Sequence, residues 1–248
     1  MRRREGTVQD RRFSGKAGDD YELFKPAIPW HDDFQAWVGE LVAEHHVRTD
    51  VLVLPALELG VGTANTTLPV LHHATGIPIV GVDNEPTMLE QARINLPADG
   101  SVTLHEADIL TFLLSQKEDS FGSCFTAWTL HNLKRTTRQR VYRELARVLQ
   151  PGAVLVQFDK IVRSADLPCE RHADFSDQIQ RVIDVFEGIG RPDLVSEWVM
   201  HYLEDEHPDV VMTEPATRQD LFVAGFPRVT FYDRKGMDVI MSAHLPIH

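Results

Sequence analysis

Three acids stand at the ends of three successive apolar runs: Glu58 in "ALELGVGTAN", Asp83 in "IPIVGVD" and Asp108 in "SVTLHEAD". Singly, each could cap a helix or face solvent. Jointly, at the ends of consecutive strands, they would surround one crevice. Gly60 and Gly62 follow Glu58 and let a ligand approach the backbone. A helix behind such a loop offers free N–H groups and the positive end of its dipole to an anion. In a dinucleotide-binding loop that anion is a pyrophosphate, and a third glycine permits close helix–strand packing. Here Asn65 stands in that place, and Glu58 would face a pyrophosphate badly. A ligand with an amino-acid end fits better, its carboxylate toward the helix and its ammonium toward the acids. Asp83 can accept two hydrogen bonds from ribose hydroxyls, and Asp108 one from an adenine amino group.

These residues need a scaffold that brings strand ends side by side. "HDDFQAWVGELVAEHH" carries Phe34, Trp37, Val38, Leu41 and Val42 at helical spacing. Pro55 interrupts the run "VLVLPALEL", which leaves Ala56 to Leu59 as the buried strand. The following helix "NTTLPVLHHAT" tolerates Pro69 only near its first turn. "IPIVGVD", "SVTLHEAD", "SFGSCFTAW" and "AVLVQFD" read as further strands. "EPTMLEQARINL" reads as a helix opened by Pro86, and "RQRVYRELARVL" as one stopped by the turn "QPG". Strands apolar on both faces that alternate with helices form a parallel sheet covered on both sides. The pattern changes near Ser164, where "DFSDQIQRVIDVFEGIG" and "LVSEWVMHYLEDE" read as inserted helices. It resumes at "TRQDLFVAGF" and closes in the hairpin "RVTFYD", "RKG", "MDVIMSAH". The expected fold class is α/β, a Rossmann-like doubly wound seven-stranded sheet with an antiparallel terminal hairpin and a helical insertion. Its divisions are 1–50 (arm and helix), 51–163 (α/β core), 164–213 (helical insertion) and 214–248 (helix and hairpin that complete the sheet).

A methionine end, a ribose and an adenine together make S-adenosylmethionine (SAM). The segments "ALELGVGTANTT", "IVGVDNEPTMLEQAR", "EADIL", "FTAWTLHNL", "RELARVLQPGAVLV" and "LFVAGF" resemble the successive motifs of class I SAM-dependent methyltransferases. The likeness runs from about Val51 to the C-terminus, apart from the insertion. It implies that Glu58, Gly60, Gly62 and Thr63 form the first cofactor motif and that Asp83, with Asn84 and Met88, holds the ribose side. It further implies that Asp108 and Ile109 bracket the adenine, and that Ala127 and Trp128 lie beside the cofactor after the fourth strand. Ala64 and Gly122 depart from the usual residues. "VDNEPTMLEQAR", "TLHNL" and "PGAVLVQFDK" are also similar to the carboxy-SAM synthase branch, which holds an extra carboxylate with a basic residue on the inserted helices. In "EWVMHYL", Val199 and Met200 supply no cation.

Methyl transfer needs a nucleophile in line with the methyl group, an orientation effect, and a base only if the nucleophile arrives protonated. His131, just after the fourth strand, is the candidate base. Tyr21 in "DDYELFKP" is the candidate lid, and Asp159 and Lys160 border the same crevice. The insertion's Phe175, Phe186, Trp198, Met200 and Tyr202 read as core, with a share in roofing the site. Twelve histidines invite a metal, but His45–His46, His72–His73, His172 with Asp174, and His201 with His207 match no ligand spacing, so no metal is expected.

The chain has 248 residues and a net charge of −12, with 37 acidic against 25 basic residues. Such a surface repels phosphate backbones; the arginines of "MRRREGTVQDRRF" read as a solvated tail, and the basic run after the fourth strand, "LKRTTRQR", as the solvated face of a helix. No apolar run reaches the roughly 20 residues of a membrane helix. Cys124 and Cys169 cannot make a disulfide framework, so a cytoplasmic setting is expected. The expected partner is a small-molecule acceptor rather than nucleic acid or membrane, with homodimerisation left open. The readings that compete with a methyltransferase are a SAM-using enzyme of the carboxy-SAM synthase type, a non-catalytic SAM-binding protein and a nicotinamide oxidoreductase.

Overall fold

The computed structural model describes residues 18, 20–47, 54–164 and 168–247. Of the expected polar arm at 1–20, residues 1–17 and 19 lie outside them, as does the start of the apolar run at 51–53. The core is a seven-stranded sheet in the order β3-β2-β1-β4-β5-β7-β6. Its strands are β1 (Ala56–Leu59), β2 (Ile79–Asp83), β3 (Val102–Glu106), β4 (Phe121–Ala127), β5 (Leu149–Lys160), β6 (Arg228–Lys235) and β7 (Asp238–His244). The first five pair in parallel, while β7 runs antiparallel to both β5 and β6. β1 is buried at every residue, which is why its sequence is a continuous apolar run broken only by Glu58.

Helices cover both faces. On one side α1 (His31–Val47) and α2 (Thr67–His73) pack Phe34, Val38, Val42 and Val70 against Phe125, Val156 and Phe158. On the other lie α4 (Ile109–Ser115), α5 (Arg135–Val148) and α8 (Glu214–Ala224). They bury Leu113, Tyr142, Leu145 and Leu221 over Leu57, Cys124 and Leu155. α3 (Pro86–Asn95) seals the sheet edge with Leu89 and Ala92 against Val61 and Ala64. Between β5 and α8 the chain makes α6 (Pro168–Gly188) and α7 (Asp193–Asp205). With a 3-10 helix at Tyr21–Ala27 they form a separate apolar cluster of Phe24, Val182, Phe186, Leu194, Trp198 and Tyr202. Met200, expected in that core, is 57% exposed.

Three local expectations change. The helix α4 is absent from the sequence reading because "ILTFLLS" is short and mostly apolar, with only Thr111 and Ser115 polar, and shows no helical period; Asp108 caps it, its Oδ1 accepting from Thr111 N at 2.9 Å. "QPG" is a bulged strand entry rather than a free turn: Leu149 already pairs with Phe121, the register shifts before Ser123, and Gly152 takes φ 79°. "LKRTTRQR" is not a plain solvated face. Arg138 is buried and donates to the carbonyls of Leu130, Leu133 and Val210. Arg135 forms a two-pronged pair with Asp220 on α8.

Candidate active site

Strand order reverses at β1. From β1 the chain steps outward to β2 and β3, then crosses to β4 on the other side. The loops after β1 and β4 therefore diverge, and a crevice opens at the carboxyl ends of the strands. Gly60, Gly62, Asp83, Asn84, Met88, Asp108, Ile109, Ala127 and Trp128 all line one cavity there, with Tyr21 from the 3-10 helix and Thr129, Asn132 and Leu133 from the β4 loop.

Asp83 is the anchor of this cavity. Its Oδ2 accepts from Gly62 N at 2.8 Å and its Oδ1 from Glu85 N at 2.9 Å. With the Asn84 N–H as a further backbone donor, the carboxylate still has acceptor capacity left for a ligand hydroxyl. Burial nonetheless lifts its carboxyl above the ordinary range, since those backbone bonds compensate only in part and no cation helps. Gly60 has φ 73°, and a Cβ there would fall 2.1 Å from the Thr129 hydroxyl; Gly62 has φ 55° with open space beside it. The first glycine thus lets the β1 and β4 loops touch, and the second leaves the floor clear. Asp108 lines the cavity although its Oδ1 also accepts from both the N–H and the hydroxyl of Thr111.

Two residues of the expected cofactor set lie elsewhere. Glu58 sits beneath the loop, buried and outside the cavity lining, its Oε2 accepting from Thr67 Oγ1 at 2.6 Å. Burial pushes its carboxyl well above the ordinary range. Thr63 is buried as well, and its hydroxyl donates to Glu22 Oε1 at 2.5 Å. Glu22 also accepts from the Asn65 amide at 3.2 Å. This explains Asn65 in the third-glycine place: with Thr63 it fastens the 3-10 helix to the glycine loop. Glu22 and its role are missing from the sequence reading, because no local pattern links residues 41 apart.

A second cavity adjoins the first, and Tyr21 and Trp128 line both. Its walls are Phe24, Trp198 and Tyr202, with His131, Lys160, His201 and Asp238 among its polar groups. The 3-10 helix and α7 therefore roof it. Trp128 holds a left-handed backbone, φ 44°, a conformation that costs about 1–3 kcal/mol in a non-glycine residue and concentrates at functional sites. Its indole donates to Asp238 Oδ1 at 2.9 Å. Burial raises the Tyr21 phenol well above its usual range, so it remains an O–H group.

His131, on a short 3-10 turn (Leu130–Asn132) after β4, is buried in the wall of this second cavity. Its Nδ1 lies 2.5 Å from Asp159 Oδ1. Asp159 is itself held by N–H donors from Leu130, His131, Lys160 and the Gln157 amide. A carboxylate fixed in that way accepts, so Nδ1 carries the proton and Nε2 keeps its lone pair. Nε2 has no hydrogen-bond partner among the described residues and lies 3.6 Å from Asp205 Oδ2. The fold also gathers what spacing along the chain could not show: His131, His201 and Asp205 bring ligand atoms within 4.8 Å of one another, a set able to hold a metal ion. The Lys160 ammonium, 2.6 Å from Asp205 Oδ2 and 3.8 Å from the Tyr202 ring centre, already supplies positive charge to that corner.

Comparison with known proteins agrees with this geometry. Residues 56–152 match the family described as "Methyltransferase domain". A carboxy-S-adenosyl-L-methionine synthase of Yersinia pestis (strain Pestoides F) is 27% identical over 144 residues, 56% of this chain and 51% of that protein. The chain thus spans about half the length of the curated relatives it matches. An O-methyltransferase family protein from Burkholderia thailandensis superposes with a TM-score of 0.69 at 16% identity, covering 96% of this chain and 63% of the other. An S-adenosylmethionine-dependent methyltransferase from Mesorhizobium loti gives 0.52 at 18% identity, covering 83% and 97%. SAM is the cofactor these likenesses imply, and the chemistry of the cavity is compatible with it: a half-buried carboxylate with acceptor capacity to spare, a glycine-floored loop beside it and a second acid, Asp108, in the lining. Residues 56–152 thus match the methyltransferase-domain family, and the seven-stranded sheet is consistent with the Rossmann-like fold of the solved methyltransferase structures.

Proposed function

We propose that the chain transfers a methyl group from SAM to a nitrogen or oxygen of a small molecule. Asp83, Asn84, Met88, Asp108 and Ile109 would hold the nucleoside, with the Gly60–Gly62 loop at the amino-acid end. Bound there, SAM supplies an electrophilic methyl group. The observation that carries the reading is the second cavity beyond Tyr21 and Trp128, where His131 presents a bare Nε2 held in register by Asp159. An acceptor lodged between the aromatic walls would give its proton to Nε2. Asp159 would stabilise the charge the ring gains, as in other carboxylate–imidazole pairs. No metal is required, since Lys160 is the cation of this pocket; turnover unchanged by a chelator would agree, and its loss would count against that part of the reading. The setting we infer is cytoplasmic; among the described residues no helix is long and apolar enough to cross a membrane.

Incubation of the chain with SAM and a metabolite mixture, followed by mass spectrometry, tests the proposal. The expected product is a metabolite heavier by one methyl group, alongside S-adenosylhomocysteine. A carboxylated cofactor would instead favour the chemistry named for the Yersinia relatives, and binding without turnover a regulatory role. Against carboxylation, Met200 is exposed, and Lys160, the cation that does line the cavity, is already paired with Asp205.

A further inference from the structure

Resting on that reading, we infer the chemical class of the acceptor: a basic amine on a flat apolar body, with Asp238 as its anionic anchor. The walls come first. Phe24 and Trp198 stack at 3.8 Å with their planes 4° apart, and Tyr202 and Trp128 close the other sides. Aromatic faces bind ring systems through apolar contact and attract cations through their negative quadrupole. The Lys160 ammonium over Tyr202 shows that this wall accommodates a positive nitrogen.

The balance of charge then selects among acceptors. Asp205 is neutralised by Lys160 at 2.6 Å. Asp159 is turned toward His131 and a set of N–H donors. Asp238 differs from both. Its two oxygens accept from neutral indoles, Oδ1 from Trp128 at 2.9 Å and Oδ2 from Trp30 at 3.2 Å. It forms no ion pair among the described residues, it is 2% exposed, and it lines the cavity. Burial raises its carboxyl above the ordinary range, and the Trp128 N–H, the Lys160 charge and the Trp30 N–H offset this only in part. A carboxylate or phosphate ligand would meet the unpaired Asp238 in the same cavity, with Lys160 already engaged by Asp205. A neutral hydroxyl would leave Asp238 uncompensated. An ammonium supplies the missing charge, and after giving a proton to His131 Nε2 its nitrogen has the lone pair that methylation needs.

Three probes of one size separate the classes: 2-phenylethylamine, 2-phenylethanol and phenylacetate. Each is titrated calorimetrically into the full chain saturated with S-adenosylhomocysteine. The amine is expected to bind at least tenfold more tightly than the alcohol, and phenylacetate more weakly still. Asp238→Asn should abolish the preference without changing the affinity for S-adenosylhomocysteine. Equal or tighter binding of the alcohol or the acid overturns the amine assignment, as does failure of all three at millimolar concentration. If Asp238→Asn does not fold, the ranking in the unmodified chain decides alone. The underlying reading fails separately, on its own signal: S-adenosylhomocysteine that does not bind at all.

Discussion

Asp83 and Asp159 both accept several N–H bonds, yet the proposed reading puts them at opposite ends of the chemistry. Asp83 faces the cavity at the glycine loop with acceptor capacity to spare. Asp83→Ala removes up to two hydrogen bonds from a charged acceptor, each worth about 1.5–3 kcal/mol at most. SAM affinity measured by calorimetry should fall at least tenfold, and an unchanged isotherm would remove Asp83 from the cofactor site. Asp159 spends its oxygens on His131 and its surroundings. His131→Ala should slow the chemical step by roughly 10²–10⁴-fold with SAM affinity retained. Asp159→Asn is the sharper test of positioning: the amide can donate to Nδ1 and invert the tautomer, so kcat should fall at constant KM and the pH–rate profile should shift. A structural role alone would move thermal stability and leave that profile in place. Asp83 was legible because a strand that ends in an acid is a local signal. The His131–Asp159 contact was legible only as two neighbours of one crevice, because 28 residues separate them and only the packing of β4 beside β5 joins them.

Among the elements, the 3-10 helix Tyr21–Ala27 was the least visible, since "YELFKPA" has neither a strand's alternation nor a helix's stripe. It is placed by tertiary contacts: Phe24 on Trp198, Arg181 Nε donating to the Ala27 carbonyl, and Glu22 on Thr63 and Asn65. The alternating core was readable because its strands are buried on both faces, whereas α4 was hidden by the shortness and mostly apolar make-up of "ILTFLLS". If the 3-10 helix and α7 act as a roof, ligand binding should protect their amides. Hydrogen exchange with and without S-adenosylhomocysteine is expected to slow at Tyr21–Ala27, and Glu22→Ala should erase that slowing while the β1–β4 core is unaffected. Exchange indifferent to ligand would argue against a lid. The pH dependence has a definite sign. Burial pushes the Glu22 carboxyl up, but Lys25 and the Thr63 and Asn65 side chains outweigh it, so it titrates below the ordinary range. The clamp is therefore complete above the ordinary carboxylate range and weakens as pH falls through Glu22's own, lower value.

The molecule as a whole carries a net charge of −12, and its sheet concentrates buried acids at the carboxyl edge. Glu58, Asp83 and Asp238 are all held above their ordinary values, in each case chiefly by burial. An acid whose folded-state pKa is raised binds more protons in the native than in the unfolded chain. Stability therefore declines as pH rises from the unfolded-state value up to the folded one, by roughly 1.4 kcal/mol per pH unit for one fully shifted group. Glu58 dominates this effect. It is completely buried, its Oε1 has no hydrogen-bond partner among the described residues, and Asp83 adds like-charge repulsion. Glu58→Gln keeps the shape and can still accept from Thr67 while it removes the ionisation. Thermal unfolding of the unmodified chain should show a stability maximum on the acid side of neutrality and a steady decline toward alkaline pH. The Gln variant should flatten that decline and leave the acid limb, to which Glu22 contributes, where it was. Parallel alkaline limbs in the two proteins would mean that Glu58 is ionised in the native state, with the cost of its burial met by groups other than Thr67.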